Sequence, residues 1–329
     1  MAALAAVLLA LQLAAATGLQ SDIVFVEASP LARNAELVRR SLTPLPAGQV
    51  EQKALRDQPL DLATERFTLY VPETAPAAGY ALLVFIPPWP EARVPPHWQP
   101  VLDRHGMIFV TAANSGNDTA TLGRRAPLAL DAAANVQRRY RVDPQRIYVG
   151  GFSGGSRVAL RVATGYPDLF RGALLQAGSD VLGETIAVPP VPLLATLQET
   201  ARIVFLTGDH DDFHVEADKA SQRSLEEWCV FDLDTETVPR GWHEPADPAA
   251  FSRALDALEQ HEPPDPARLA ACRANTKQKM ATDLQQVASL VAAGRRTEAQ
   301  AALAALDARY GGLAAEAVLA LAAQLDSGR

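Results

Sequence analysis

The chain is most legible where apolar residues fall at strand spacing. From Arg66 to Val71 the residues alternate strictly, with Phe67, Leu69 and Val71 on one side, the period-two pattern of a half-buried strand. Leu82-Leu83-Val84-Phe85-Ile86 and Met107-Ile108-Phe109-Val110 are short continuous apolar runs, as expected of strands buried on both faces. Ile147-Tyr148-Val149, Ala173-Leu174-Leu175 and Ile203-Val204-Phe205-Leu206 repeat the signal. Helical stretches separate most of these runs. One opens at Pro127, in the first-turn position that proline favours, and continues to Tyr140. The alternation predicts an α/β fold, a mainly parallel sheet covered on both faces by helices.

Pro263-Pro264-Asp265-Pro266 breaks this rhythm, and beyond it the chain becomes Ala-rich. Leu284, Val287 and Leu290 keep helical spacing before Gly294, and Ala299, Ala302, Leu303 and Leu306 do so before Gly311-Gly312. Leu313, Ala317, Val318, Leu321 and Leu325 form a third stripe. The pattern predicts an all-α extension over 263–329, with short loops and antiparallel neighbours. Its Ala-Gly turn at 293–294 resembles that of a tetratricopeptide unit, but at most one is present and such arrays need about three. A helical cap on the main domain is the simpler expectation, and a surface for a protein partner is the alternative.

Residues 17–60 carry no pattern that assigns them, and the main domain is expected over 61–262. At the start, Ala2 to Ala16 are apolar apart from Gln12 and end in Ala14-Ala15-Ala16, a small-residue cleavage pattern. The run is short for a bilayer span, and no Lys or Arg precedes Arg33. It reads as a secretory signal over 1–16, with a buried N-terminal helix as the alternative. A secreted or periplasmic protein without a stable membrane span is therefore expected.

Composition narrows the functions. The chain has 329 residues, 48% hydrophobic and 21% charged, enough for one large core plus an appendage and unlike a disordered or collagen-like chain. Its formal charge is −8 with no basic block, which argues against nucleic acid as a partner. Cys229 and Cys272 allow one disulfide in an exported protein, two buried thiols in a cytosolic one, and no zinc cluster in either.

The chemistry centres on Gly151-Phe152-Ser153-Gly154-Gly155, a G-x-S-x-G motif. Strand residues Arg146 to Gly150 run into it, and a helix bearing Val158 and Val162 follows and stops at Gly165, before Pro167. A strand–serine–helix turn strains the serine backbone and leaves no room for Cβ atoms two residues to either side, hence the glycines. It also puts the hydroxyl at a helix N-terminus, where N–H groups face a developing oxyanion. A serine needs a base to take its proton and an acid to orient that base. Both follow in the order serine, acid, histidine: Gly208-Asp209-His210-Asp211-Asp212-Phe213 after one strand, and Gly241-Trp242-His243-Glu244-Pro245 after the strand around Phe231 to Val238. Asp247-Pro248 then starts a helix bearing Phe251, Leu255 and Leu258.

On these residues the chain resembles the α/β-hydrolase superfamily. Val142-Asp143-Pro144-Gln145-Arg146-Ile147-Tyr148-Val149, leading into the serine motif, is similar to the polyhydroxybutyrate depolymerase and feruloyl esterase group. The resemblance covers about residues 65–262 and excludes the N-terminal stretch and the C-terminal helices. It implies a secreted, cofactor-free serine esterase acting on a small-molecule or polymer ester, with Ser153 as nucleophile and His243 as base. Counting three residues from Gly208 gives Asp211 as the acid, whereas aligning on the following phenylalanine gives Asp212. Asp211 is preferred. The group usually carries a His-Gly pair where this chain has Pro87-Pro88-Trp89-Pro90, and proline has no N–H to donate. Trp89 and Gly154 are therefore the expected oxyanion donors.

Other residues have blander readings. His97, His105 and His261 sit near helix ends or a Pro-rich loop, where packed or solvated roles suffice. Asp209, His210, Asp211, Asp212 and His214 crowd one loop too closely to converge easily on one ion, so no metal site is expected. Asn114-Ser115-Gly116-Asn117 lines the pocket or forms an ordinary turn. The short segment between Gly178 and Arg202 leaves little room for a lid and favours short-chain or aromatic esters. A peptidase of the same fold and an inactive scaffold used for protein interaction are the competing readings.

Overall fold

The computed structural model describes residues 16–45, 55 and 57–327, so the expected signal segment lies outside the described residues except for Ala16. Among the described residues eight strands form one sheet: β1 (Gly18–Ile23), β2 (Phe67–Val71), β3 (Tyr80–Ile86), β4 (Met107–Ala112), β5 (Val142–Phe152), β6 (Gly172–Gln176), β7 (Arg202–Gly208) and β8 (Leu233–Val238). Their order is β1-β2-β4-β3-β5-β6-β7-β8. The β1–β2 and β2–β4 pairs are antiparallel, and every pairing from β4 through β8 is parallel. This is the mainly parallel sheet of an α/β fold that the alternating pattern predicts.

Among the described residues the α-helices are α1 (Asn34–Ser41), α2 (Gln99–His105), α3 (Ala126–Arg139), α4 (Gly154–Gly165), α5 (Val191–Thr200), α6 (Asp212–Glu227), α7 (Pro248–Leu258), α8 (Pro266–Ala292), α9 (Arg296–Tyr310) and α10 (Ala315–Ser327). β3 shows why the central strands read as unbroken apolar runs. Leu82, Val84 and Ile86 enter a core with Leu128 and Leu130 of α3 and Val158 and Val162 of α4. Ala81, Leu83 and Phe85 enter a second core with Leu102 of α2 and Phe251 and Leu255 of α7. Both faces are covered, so both parities must be apolar.

β2 departs from the half-buried reading, because all five of its residues are buried. Its polar positions are buried with partners. The Thr68 hydroxyl donates to the Ala92 carbonyl at 2.8 Å, and the Tyr70 hydroxyl donates to the Asp103 carboxylate at 2.8 and 2.9 Å. Alternation reports chemistry rather than exposure, and a satisfied hydroxyl tolerates burial.

The stretch that could not be assigned supplies β1 and α1 and wraps onto α3. The Ser29 N–H donates to Asp131 at 2.6 Å, and the Asn135 amide donates to the Glu27 carbonyl at 2.7 Å. Asp131 is only 3% exposed, and burial pushes its carboxyl up to about 6 despite the Ser29 N–H. Between the unfolded value of roughly 4 and about 6 the folded chain therefore binds the extra proton. The stability this group contributes is complete below the unfolded value and is lost as pH rises through about 6. Asp131→Asn keeps an oxygen for Ser29 and removes the buried charge. It should raise stability by about 1–3 kcal/mol at pH 8 and change little near pH 3. Urea unfolding at both pH values checks this, and equal midpoints at pH 8 contradict it.

The C-terminal helices share the first core. Val287, Leu303, Leu306, Val318 and Leu325 belong to the same cluster as Leu194, Leu197 and Trp228. Tyr310 meets Trp228 edge-on at 5.9 Å. Cys229, just past α6, is disulfide-bonded to Cys272 on α8, with a Cα–Cα distance of 5.9 Å. Among the described residues no helix is long and apolar enough to cross a membrane.

Candidate active site

β5 delivers Ser153 at φ 55°, ψ −124°, outside the regions an L-residue ordinarily occupies, and α4 begins at the next residue. The motif glycines make this possible. A Cβ on Gly155 would lie 1.9 Å from the Ile86 carbonyl oxygen, and one on Gly151 would lie 2.5 Å from the Gly155 carbonyl carbon. The Ser153 N–H donates to the Gln176 carbonyl of β6 at 2.8 Å, which locks the turn to the neighbouring strand.

The acid and histidine loops follow β7 and β8, adjacent parallel strands, so both emerge at the same sheet end. Backbone bonds join them: the His210 N–H donates to the Gly241 carbonyl at 3.0 Å, and the Asp209 N–H donates to that of Val238 at 3.2 Å. His243 Nε2 stands 2.9 Å from Ser153 Oγ, and its Nδ1 stands 2.7 Å from Asp211 Oδ2. Asp212, the alternative acid, is exposed on the first turn of α6. Asp211 occupies the N-cap of α6, yet its side chain makes no capping bond and turns to the histidines. Burial pushes its carboxyl up, but hydrogen bonds from His214 and His243 outweigh burial and hold it below the usual carboxylate range.

Two side chains anchor the histidine loop. The buried Trp98 indole donates to the Ala246 carbonyl at 2.9 Å, and the Ala246 N–H donates to Gln176 Oε1 at 3.2 Å. Trp98 stacks on Phe251 of α7 with centroids 4.2 Å apart. The His243 ring packs at 4.9 Å against Phe152, the residue before the serine.

The Pro87-Pro88-Trp89 loop lies beside the turn, its Ile86–Pro87 peptide filling the space a side chain at Gly155 would need. Prolines cannot donate, so the loop is held through its carbonyls. Arg125 donates to Pro87 at 2.9 Å, the Asn117 N–H to Pro88 at 3.0 Å, and the Asn114 N–H to Pro90 at 2.6 Å. The Trp89 indole packs on Phe152, the residue before the serine, with ring centroids 6.1 Å apart. Asn117 packs against Gly154, where an added Cβ would meet its Oδ1 at 2.2 Å, so this turn does border the site. Arg125 also donates to the Ser115 carbonyl at 2.9 Å, and burial lowers its guanidinium to about 10. Nothing in the sequence marked Arg125. Its signal is a charged residue within an apolar helical start, at the end of the π-helical turn Thr121–Arg125.

His105 and His261 hold Glu259 and Asp232 at 2.9 and 2.6 Å, and His97 meets Trp98 edge-on. Of the acid loop's five acidic and histidine residues, Asp211 and His214 are grouped, together with His243 of the following loop. Asp211, His214 and His243 each offer a ligand-type atom, and these lie within 4.8 Å of one another. One helical turn brings residues 211 and 214 together. Both Nδ1 atoms face Asp211 and His243 Nε2 faces Ser153, so the groups are bonded among themselves. His214 was missed as a site residue. Its signal was Asp-x-x-His at a helix start, the spacing that places N-cap and N3 side chains together.

No family model matches the chain, and no curated protein matches it. Among solved structures, a ferulic acid esterase is similar at 17% identity, covering 59% of this chain and 90% of its own, with a TM-score of 0.43. A dienelactone hydrolase from Anabaena variabilis is similar at 15% identity, covering 61% and 93%, with a TM-score of 0.43. An S-formylglutathione hydrolase from Staphylococcus aureus is similar at 14% identity, covering 59% and 91%, with a TM-score of 0.45.

Proposed function

We propose that this chain is a serine hydrolase that cleaves carboxylic esters through an acyl-enzyme on Ser153. The observation that carries the reading is the unbroken relay from Ser153 Oγ to His243 at 2.9 Å and from His243 to Asp211 at 2.7 Å. Ser153 Oγ attacks the ester carbonyl carbon as His243 Nε2 takes its proton. The imidazolium then returns that proton to the departing alkoxide or phenoxide. Water repeats the cycle and releases the acid. Asp211 keeps the imidazole in the tautomer whose Nε2 accepts, and it stabilises the transient positive charge. The N–H groups of Gly154 and Trp89 are the donors assigned to the oxyanion. None of these steps uses a cofactor.

Short acyl chains or aromatic acids fit best. His243 is 39% exposed at its side chain, and Phe213 and Trp242 beside the acid and base are 70% and 65% exposed. Those exposed rings offer flat apolar contact suited to a short or aromatic acyl group. We further infer export, on the strength of the apolar N-terminal run and the Cys229–Cys272 bridge.

A fluorophosphonate tests the central claim, because it reacts only with an activated serine. Wild-type protein should label and Ser153→Ala should not. Equal labelling of the two, or none of either, removes the mechanism. On p-nitrophenyl esters from acetate to palmitate, kcat/KM should fall as the chain lengthens, and a palmitate preference would contradict the open-site reading.

A further inference from the structure

We propose that His214 is a positioning residue for the Ser153 centre, holding the Asp211 carboxylate in place alongside His243. The inference rests on the triad reading above and extends it by one residue. His214 Nδ1 lies 2.8 and 2.9 Å from the two Asp211 carboxylate oxygens. Its ring stacks on that of His243, with centroids 4.2 Å apart and planes 13° from parallel. Its side chain is 13% exposed and that of Asp211 is 8% exposed, so water has little access to take over the contact.

Asp211 needs this help because of where it sits. As the N-cap of α6 it would ordinarily turn its carboxylate onto its own helix and accept from the N–H groups of the first turn. It makes no such bond. His214, three residues on, supplies the donor that draws the carboxylate outward, and its ring face limits the angle His243 can adopt. The carboxylate is thus fixed by two N–H groups, and the histidine by a hydrogen bond at one edge and a stacked ring at its face. Further along α6, buried Asp218 accepts from Ser179 and Thr207 at 2.5 and 2.6 Å, pinning the helix start that carries His214. Positioning of this kind acts on the reacting geometry and not on substrate affinity.

Two substitutions separate the parts. His214→Phe keeps an aromatic ring against His243 and loses the donor. His214→Asn loses the ring and keeps an N–H at nearly the same place. With p-nitrophenyl acetate, His214→Phe should lower kcat on the order of tenfold with KM changed less than about twofold, and His214→Asn should recover most of that loss. A direct observation needs no variant. Protein carrying ¹⁵N-labelled histidine should show two low-field Nδ1–H protons bonded to carboxylate, from His214 and His243. A single such proton in wild type, or a His214→Phe kcat equal to wild type while Ser153 still labels with fluorophosphonate, overturns this role alone. Wild-type protein that does not label overturns the triad reading and this one together.

Discussion

Asp211→Asn is expected to lower kcat for a short aryl ester by about 10⁴, and Asp212→Asn by less than about threefold. The large effect follows from counting acceptors. Asp211 takes an N–H from His243 and another from His214, and a carboxylate has two oxygens for them. Asparagine has one acceptor oxygen and one NH₂, so at least one imidazole must present a bare nitrogen to it. If that ring is His243, its proton moves to Nε2, where it faces Ser153 and cannot accept the hydroxyl proton. Asp212 is solvent-exposed at the helix start, and its loss removes only a surface charge. Steady-state kinetics on both variants, with circular dichroism to confirm folding, decides the matter. A larger loss in Asp212→Asn would transfer the acid's role.

The parts of this fold legible in the sequence are those where burial forces a pattern. β3, β4 and β7 read as apolar runs because both sheet faces are covered, and the serine turn reads as glycines because backbone carbonyls occupy the places of their side chains. β1 was invisible for the opposite reason. It is an edge strand of sequence Gly-Leu-Gln-Ser-Asp-Ile with Leu19 exposed, so nothing selects an apolar parity. α1 was lost beside it, since its burial depends on α4 and the 3₁₀ turn at Pro30–Ala32, which local sequence does not reveal.

The candidate site divides the same way. The chain order of Ser153, Asp211 and His243 follows from the order of parallel strands, which the apolar runs report. The choice between Asp211 and Asp212 depends on one peptide's orientation at a helix start, and spacing alone leaves both open. Arg125 and His214 lie further from view. Each acts through carbonyls or a carboxylate contributed by other turns, and that kind of complementarity belongs to the folded chain rather than to any short motif.

Cutting the Cys229–Cys272 bridge should cost the protein up to about 4 kcal/mol of stability while leaving Ser153 reactive. The bridge closes a segment of 43 residues, from the end of α6 through β8 and α7 to the first turns of α8. Loop closure of that length removes from the unfolded chain an entropy worth about 4 kcal/mol at room temperature. The first half of α8 has little else to hold it. Leu269 is its one buried residue before Val287, helped by Arg273, which donates to Gln198 at 2.6 Å, and by Arg268 over the Phe231 ring. Cys272→Ser is the cleaner substitution, because Cys229 is fully buried and a hydroxyl there would add a desolvation penalty of its own. The variant should unfold at lower denaturant than the oxidised wild type and should match wild type treated with a reductant. Protease sensitivity should rise around Pro263–Pro266, where α8 leaves the main body. Fluorophosphonate labelling should be unchanged, since every residue bonded to Ser153, His243 and Asp211 precedes Pro248. An unaltered unfolding midpoint would mean that the helical core around Tyr310 and Trp228 holds the extension without the bridge.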